Sequence, residues 1–408
     1  MIFVDFARAM IENPVLRVAW NLLELTWVIW LPGILFIGFI TVWLKYKRIE
    51  FIVKQGNILL ELKLPKDVQK SPLAMELVFT SLYQTGAATY LDTFLGGKIR
   101  PWFSFELVSI NGMVHFYIWT PPKFRQLLES QLYAQYPGLE IVEAEDYTRG
   151  IFVDNEKRIL WGTSFKLTKE DVYPIKTYVD YGLDREQEEE FKIDPMTSVL
   201  DYLASIKRGN QVWIQIMIQA HRKEKLKDDA RFFGKEFWKE QAKDEIKKKI
   251  DELRSDDSFR LPTEGEKELV AALERSQSKY AFEVGIRGIY IADKEVFDSI
   301  NITGLIGSFR QYSSNTLNGF KLGKFTDFDY PWQDFKRMRR DAIERKYLNA
   351  YKLRSFFFPP YRHFLTSPFI LNTEELATIY HLPGRVATTP GLIKTQSRKG
   401  EAPANLPV

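Results

Sequence analysis

The chain has 408 residues, a net charge of +4 from 57 basic and 53 acidic side chains, and no cysteine. The missing thiols exclude disulfides, thiolate metal sites and cysteine nucleophiles, and they fit a reducing cytoplasm. The mild charge does not by itself indicate a nucleic-acid binder, and the length allows two or three domains. An aromatic content of 14% favours packed sheets over disorder.

The longest apolar stretch runs from Leu25 to Leu44. Its uncharged residues, at about 1.5 Å of rise each, would cover roughly 30 Å, the hydrocarbon thickness of a bilayer. Indole side chains lie toward both ends, and a Pro-Gly pair in mid-helix is more typical of a membrane helix than of a buried soluble one. The sequence therefore predicts a transmembrane helix, with Leu25, Trp27, Trp30, Pro32, Gly33, Trp43 and Leu44 as its marker residues.

Four basic residues follow this stretch within ten positions: Lys45, Lys47, Arg48 and Lys54. Because a basic excess stays on the cytoplasmic side, we expect residues 1–48 to anchor the chain to a membrane with a single span. The large C-terminal part would then lie in the cytoplasm. Residues 1–20 also fit a helix lying along the membrane surface.

The next segment, residues 49–150, alternates strands and helices. Asn111-Gly112 between two apolar runs is a strong hairpin signal, and prolines open and close the helices. Residues 84–97 are expected to form a loop. The order strand, helix, strand, strand, helix, strand predicts a ferredoxin-like (split βαβ) unit, with strands at 58–64, 102–110, 113–119 and 139–144 and helices at 72–83 and 121–136.

A second ferredoxin-like unit is expected over residues 151–312. Its strands are predicted at 159–167, 211–220 and 280–292, and its helices at 195–206 and 294–312. A charged insertion, 222–257, has apolar residues at helical spacing, and its 12 basic and 11 acidic side chains nearly cancel. This balance favours a helix that packs on a neighbour or a partner protein over one that binds nucleic acid. The predicted fold class is α+β.

The last segment, 313–408, begins with a basic run and ends in an extended tail. The basic run suits phosphates, anionic headgroups or nucleic acid, or it is a helix whose polar face happens to be basic. Its candidate anion- or partner-binding residues are Lys336, Arg337, Arg339, Arg340, Arg345, Lys346, Lys352 and Arg354.

In the tail, Asn372 or Thr373 caps a short helix that Pro383-Gly384 stops. We expect the tail to pack on the sheet only through Leu371, Leu376 and Ile379, and to lack a core of its own beyond Pro383.

No catalytic constellation is recognisable in the sequence. There is no Gly-x-x-x-x-Gly-Lys-Ser/Thr phosphate loop, and the four histidines are far apart, without metal-ligand spacing. His115 is expected to have a structural role on a sheet face. The acidic residues Glu143, Glu145 and Asp146 are interpreted as a solvated turn at a strand end. We therefore expect no enzyme activity and no cofactor.

Three stretches carry a family resemblance: 98–119, 130–148 and 369–407. They resemble the membrane-anchored, non-motor part that precedes, or is encoded beside, TraC- or HerA-like ATPases of type IV secretion and conjugation in small-genome bacteria. In that family an EELA-x-x-x-H-x-P stretch and a P-x-N-L tail precede the motor. The first is matched by Glu374-Glu375-Leu376-Ala377, His381 and Pro383, and the second by Ala404-Asn405-Leu406.

The resemblance implies an accessory or scaffold subunit of a translocation machine in the cytoplasmic (inner) membrane of a bacterium. This subunit would dock a separate motor ATPase and assemble as an oligomer. The chain stops where the motor would begin, so no enzymatic residues of the family have a counterpart here. The resemblance makes Glu374, Glu375, His381 and Arg385 the candidate docking residues. Two other functions stay open. The first is a membrane module that binds anionic lipid, or nucleic acid, for which the sequence gives no further support. The second is a pilus-assembly platform whose domains lie outside the membrane.

Overall fold

The computed structural model describes residues 14–65, 70–86, 89–153, 156–184, 193–221, 243–244, 247, 263–328, 330, 332, 334, 337–384 and 394–395. The chain divides into two compact units. The anchor unit comprises Met1–Lys54 with Ala88–Ile99, and the body comprises Gln55–Ala87 with Arg100–Val408.

The helices are α1 (Pro14–Gln55), α2 (Leu73–Ser81), α3 (Tyr90–Phe94), α4 (Arg125–Gln135), α5 (Pro195–Ala204), α6 (Glu264–Gln277), α7 (Ile300–Gly307), α8 (Met338–Lys352) and α9 (Thr373–Ile379). The strands are β1 (Ile58–Pro65), β2 (Trp102–Ile110), β3 (Met113–Thr120), β4 (Glu140–Glu143), β5 (Arg158–Leu167), β6 (Asn210–Ala220), β7 (Ala281–Asp293), β8 (Phe320–Phe325), β9 (Phe369–Asn372) and β10 (Lys394–Thr395). Short 3₁₀ turns lie at Pro122–Phe124 and Arg310–Tyr312.

The anchor unit is built on α1, which is much longer than the predicted apolar span. The helix continues through Pro32 without a break and extends beyond the apolar stretch at both ends. In the same unit, α3 is a helical turn where a loop was predicted. Thr89 and Asp92 form its capping box, a local signal that the expectation of a loop over 84–97 overlooked.

The body is organised around one large, mainly antiparallel sheet with the strand order β10-β1-β3-β2-β6-β7-β5-β8. In addition, β4 pairs with β1 and β9 pairs with β7. The two halves of the sheet meet where β2 and β6 pair antiparallel, from Trp102 opposite Gln219 to Ile110 opposite Gln211. The sheet is thus continuous across the predicted boundary at residue 150.

The predicted hairpin at Asn111-Gly112 is confirmed. Both residues have positive φ, 56° and 83°, as a two-residue turn between twisted strands requires. The Asn111 side chain also accepts a hydrogen bond from the Gly209 amide at 2.8 Å, which ties the turn to the start of β6.

The main core lies between one face of the sheet and five helices, α2, α4, α5, α7 and α9. Alternate strand residues such as Phe105, Ile216 and Ile286 point into it and are almost completely buried. Burying each such side chain contributes about 1.5–3 kcal/mol relative to leaving it in water. The intervening residues point to the second face, which α8 and the segment after it cover: the α8 residue Tyr347 packs where any side chain at Gly162 would clash.

Several elements differ from the expectations. The helix predicted at 294–312 is confined to α7 and a 3₁₀ turn, while α6, β8 and β9 were not predicted. The strands β8 and β9 are short and carry little sequence signal. By contrast, α6 begins with a capping box of Thr263 and Glu266, a signal that the expectations overlooked. Of the insertion 222–257, the described residues are Lys243, Asp244 and Lys247, all helical; the rest of it lies outside the described residues.

Candidate functional site: the membrane helix and the covered face of the sheet

The predicted membrane residues all lie on α1. Within the described residues, one helix segment, Glu24–Gln55, is long and apolar enough to cross a membrane, and its apolar window is not buried by the rest of the chain. Trp27 is 52% exposed and Phe36 63% exposed. An apolar helix that the protein leaves uncovered needs another apolar environment, which a bilayer supplies.

The basic run predicted at 336–354 does not form one charged surface. Arg337, Arg339, Arg345 and Lys346 are exposed, whereas Arg340 and Lys352 are half-buried. Arg340 pairs with Asp327, and Lys352 donates to the Ile151 carbonyl. Lys336 lies outside the described residues.

Arg354 departs most from the expectation, because it is buried and paired inside the chain. Its guanidinium makes a bidentate ion pair with Glu106, with Nε–Oε1 at 2.9 Å and Nη2–Oε2 at 3.0 Å. It also pairs with Asp146 and donates to the Lys352 carbonyl at 2.8 Å. Burial disfavours its charge, but the two carboxylates outweigh this and hold the pKa of Arg354 well above its usual value. Arg354 is therefore removed from the candidate anion-binding residues.

The same contacts correct the interpretation of the acidic turn. Glu143 and Glu145 are exposed as expected, and Glu143 pairs with Arg125 at 2.6 Å. Asp146 instead faces Arg354 and accepts from the Thr148 amide at 3.0 Å. Burial raises its pKa, but the Arg354 charge and the hydrogen bonds from Arg354 and Thr148 together outweigh burial, so that the net pKa lies below the usual range. One carboxylate of the turn thus belongs to the interior.

Glu106 stands in a row of polar residues that crosses six strands on the covered face. Neighbours in the row are directly opposite one another in the strand register. We call it the polar row: Glu61, Tyr117, Glu106, Gln215, Arg287 and Ser164.

Hydrogen bonds join the middle of the polar row to its cover. Gln215 donates to Glu106 at 3.0 Å and to the Tyr351 carbonyl at 3.2 Å. Tyr147 donates its hydroxyl to the other oxygen of Glu106 at 2.8 Å. His115 lies near the outer end of the row, where its Nδ1 is 2.7 Å from Glu61. This is the structural placement expected for His115.

Arg287 is the least compensated member of the polar row. It is completely buried and donates through Nη2 to the Ser355 carbonyl at 2.6 Å. Within the described part of the chain, Nε and Nη1 have no hydrogen-bond partner. The rings of Phe356 and Tyr347 lie 5.1 and 6.0 Å from the guanidinium carbon. Burial lowers the pKa of Arg287 to about 10.

Glu344, on the buried side of α8, is a second buried ionisable group whose hydrogen bonds are incomplete. It is 2% exposed, and its Oε2 has no hydrogen-bond partner among the described residues. Burial raises its pKa to about 7, although Arg337 and Arg340 act in the opposite direction. The carboxyl is therefore held near its titration point at neutral pH.

The candidate docking residues on and after α9 are buried. Glu375 forms the capping box with Asn372 and accepts from the Ile175 amide at 2.8 Å. Glu374 accepts from Thr177 at 2.6 Å and from Arg275 at 2.9 Å. Burial raises the pKa of Glu375 to about 8.

His381 is also internal. Its Nδ1 donates to the Ala377 carbonyl at 2.8 Å, and its Nε2 lies 3.0 Å from Asp194. Burial lowers the pKa of His381, but Asp194 raises it by more, so that the imidazolium is favoured.

These contacts correct the expectations for the tail. Every residue of α9 is buried, as are Tyr380 and Leu382, so packing is not limited to Leu371, Leu376 and Ile379. Glu374, Glu375 and His381 hold the body together and present no exposed docking surface. Arg385 lies outside the described residues. Beyond Pro383 and Gly384, the described residues are those of β10, which pairs parallel with Leu64 and Pro65.

Sequence reasoning missed a second internal cluster that joins three helices. Glu76 of α2 accepts from Tyr178 at 2.7 Å and from Thr373 of α9 at 3.2 Å. Lys279, just after α6, pairs with it at 2.6 Å. A lone charge within a strongly apolar element, as in Glu76 and Glu106, was the available signal for a buried pair.

Chemically, these clusters join distant parts of the chain through ion pairs and hydrogen bonds. Their carboxylates are held by guanidinium, ammonium, hydroxyl and amide donors from distant parts of the chain. Among the described residues there is no group of three or more His, Cys, Asp or Glu side chains that could hold a metal ion.

A family profile, described as Domain of unknown function (DUF8128), matches residues 51–394. The chain belongs to the DUF8128 family. The match begins in the last turn of α1 and ends at Lys394, so the family profile covers β1 to β9 together with α3 and leaves out the apolar stretch. No curated protein matches the chain.

Proposed function

We propose that the protein is a membrane-anchored, non-catalytic scaffold of a bacterial type IV secretion-like translocation machine, and that it docks a separate motor ATPase. The observation that carries the proposal is α1, a continuous helix whose apolar stretch is exposed along its length. The basic residues that follow Leu44 support an orientation with the body in the cytoplasm, and thus an anchor in the cytoplasmic membrane.

The body suits a scaffold because its polar chemistry is directed inward. Arg354, Glu106, Glu374 and His381 are bonded to other parts of the chain and are not free for a substrate. Breaking such pairs is costly, so they hold the cover and the tail helix in one arrangement. A rigid body on a single anchor is what a docking platform requires.

We infer that the sheet consists of two ferredoxin-like units joined edge to edge. The support is the strand order: β4-β1-β3-β2 in the first half and β6-β7-β5-β8 in the second. The first half follows the strand-helix-strand-strand-helix-strand succession, and the second half follows it with α6 inserted between β6 and β7. Pairing of β2 with β6 would then be the junction between the units.

The burial of Glu374, Glu375 and His381 moves the proposed docking surface to α8. The exposed basic residues of α8 are Arg339, Arg345 and Lys346, with Arg337 at its N-cap. Their charged groups are accessible to a partner. Such a face suits an acidic surface on the partner and speeds association. We call these four residues the α8 basic face.

A second candidate ligand is an anionic membrane surface, because the α8 basic face belongs to a chain that carries its own anchor. Basic clusters near membranes bind anionic headgroups at about 1 kcal/mol per residue. The two candidates differ in what they require: a protein partner is recognised at a fixed site, whereas lipid binding depends on the surface charge of the vesicle.

The test compares two charge reversals in the full-length chain, which is cross-linked in native membranes and, for vesicle binding, purified into neutral-lipid nanodiscs. Arg345→Glu/Lys346→Glu alters the α8 basic face, and Lys207→Glu/Arg208→Glu alters a matched exposed pair on the body. Cross-linking in native membranes should capture a protein with a phosphate-loop motif, lost in the first variant and retained in the second. Binding to phosphatidylglycerol vesicles, without such a capture, would favour the lipid candidate. Equal capture by both variants would contradict docking through α8.

A further inference from the structure

The residues around α3 present apolar side chains to solvent beside the end of α1. Tyr90 is 71% exposed, Leu91 69% and Leu95 55%. Three large apolar side chains at this exposure within six residues form an uncovered apolar surface in the anchor unit. Such a surface on a short turn points to a binding face.

The α3 segment is attached to α1 through Trp43 and Lys47. The Trp43 indole donates to the Phe94 carbonyl at 2.9 Å, and the two rings lie 6.4 Å apart. Gly97 has φ +65°, and a Cβ there would lie 2.1 Å from the Lys47 carbonyl oxygen. Only glycine therefore permits this close approach.

These two contacts give the segment a direction. Gly97 lies beside Lys47, and Phe94 lies beside Trp43, one helical turn or about 6 Å closer to the apolar stretch. Going back from Gly97 to Phe94, the chain therefore leads from the basic end of α1 toward the membrane.

The position of Trp43 indicates the depth in the membrane that the α3 segment reaches. Indole rings prefer the lipid–water interface, and Lys47 lies over the Trp43 ring at 5.1 Å, as a cation at the headgroup level would. The polar groups of the turn are also satisfied locally: Thr89 and Asp92 exchange hydrogen bonds at 3.1 Å. The cost of moving this turn out of water is reduced accordingly.

We propose that α3 is a second membrane contact, lying in the interfacial layer of the leaflet that holds Trp43. Tyr90, Leu91 and Leu95 insert at the boundary between headgroups and acyl chains. The occupant of this apolar surface is the bilayer, since the surface continues that of α1. The segment then fixes the rotation and depth of α1. The inference rests on the membrane anchoring under the proposed function, and on no other part of it.

The test uses the absence of cysteine from the natural chain. Single cysteines at Leu91, Leu95 and Phe36 are labelled with bimane in the full-length protein, reconstituted into phosphatidylcholine/phosphatidylglycerol vesicles. Lipids brominated near the headgroup or near the chain end then report depth. The Leu91 and Leu95 probes should be quenched more by the shallow bromine, by about twofold, and the Phe36 probe more by the deep bromine.

Quenching at Phe36 without any at Leu91 or Leu95 would overturn the interfacial contact and leave the membrane span intact. No quenching at Phe36 would overturn the span, and with it the proposed function. A second comparison tests the attachment to α1. Gly97→Ala should at least halve the shallow quenching at Leu91, while Gly86→Ala, also at positive φ but with its nearest neighbour at 3.7 Å, should not. Unchanged quenching in Gly97→Ala would contradict that attachment.

Discussion

At the level of single residues, the placement of Arg354 decides how the basic run is understood. Composition indicates eight similar cations, yet one of them is buried in a bidentate pair on a sheet strand more than two hundred positions away in sequence. Sequence spacing predicts which residues share a helix, but not which one the tertiary fold buries. Arg354 also has φ 47°, in the left-handed region, which a charge pattern does not predict.

Arg354→Met should strongly destabilise the protein, because it leaves Glu106 buried without its cation. We expect a loss of about 3–5 kcal/mol in the free energy of unfolding, measured by denaturant titration. The control, Arg345→Met, removes an exposed cation from α8 and should change stability by less than about 0.5 kcal/mol. Glu106→Gln/Arg354→Met should recover part of the loss. Equal effects of the two single substitutions would contradict the buried pair.

Glu344 should make stability depend on pH. Its pKa is raised from 4.5 to about 7 in the folded chain, so the folded state binds the extra proton between these values. Stability from this group therefore falls as pH rises from about 4.5 to 7 and stays low above that range. Glu344→Gln removes the penalty, so its free energy of unfolding relative to the natural chain should increase between pH 5 and pH 8, by on the order of 1–3 kcal/mol.

Glu264→Gln is the control for that titration, since Glu264 is 83% exposed. The difference in free energy of unfolding between Glu264→Gln and the natural chain should stay constant over the same pH range. Parallel pH profiles for Glu344→Gln and the natural chain would show that Glu344 is ionised at little cost, contrary to its burial.

At the scale of elements, the sequence predicted correctly those turns, helix starts and caps that depend on a few neighbouring residues. The Asn111-Gly112 turn, the prolines that open α4 and α5, and the Asn372 capping box were visible in the sequence and are present in the structure. What the sequence did not reveal is the environment of each element. The few apolar residues of α9 predict only a short, weakly packed helix, yet every residue of α9 is buried. The reason is tertiary: β9, which directly precedes α9, pairs with β7, and the charged residues of α9 bond to groups inside the body.

Two truncations should therefore have opposite effects. A chain that ends at Gly384 keeps α9 and loses, among the described residues, the short pairing of β10 with β1. We expect its melting temperature to fall by no more than a few degrees. A chain that ends at Asn372 loses α9 with Glu374, Glu375 and His381, leaving Arg275 and Asp194 without these partners. It should fail to fold cooperatively, as followed by circular dichroism. Similar melting curves for the two chains would mean that α9 is peripheral.

At the scale of the whole molecule, the anchor was the part most open to prediction. A long uncharged stretch followed by basic residues is recognised without tertiary information, and α1 contains that stretch. The extent of the sheet was not predicted, because the pairing of β2 with β6 joins segments about a hundred residues apart. The proposed scaffold role depends on both features, the apolar helix and the continuous sheet.

The most direct test of this account is the sidedness of two single cysteines in intact cells. Val15→Cys lies before the apolar stretch, and Ile300→Cys lies in the body; both natural side chains are exposed, at 74% and 63%. A membrane-impermeant maleimide should label Val15→Cys in intact cells and Ile300→Cys only after permeabilisation, and both variants should stay in the membrane fraction after alkaline extraction. Labelling of Ile300→Cys in intact cells, or release of the protein by alkaline extraction, would contradict a cytoplasmic scaffold anchored by α1.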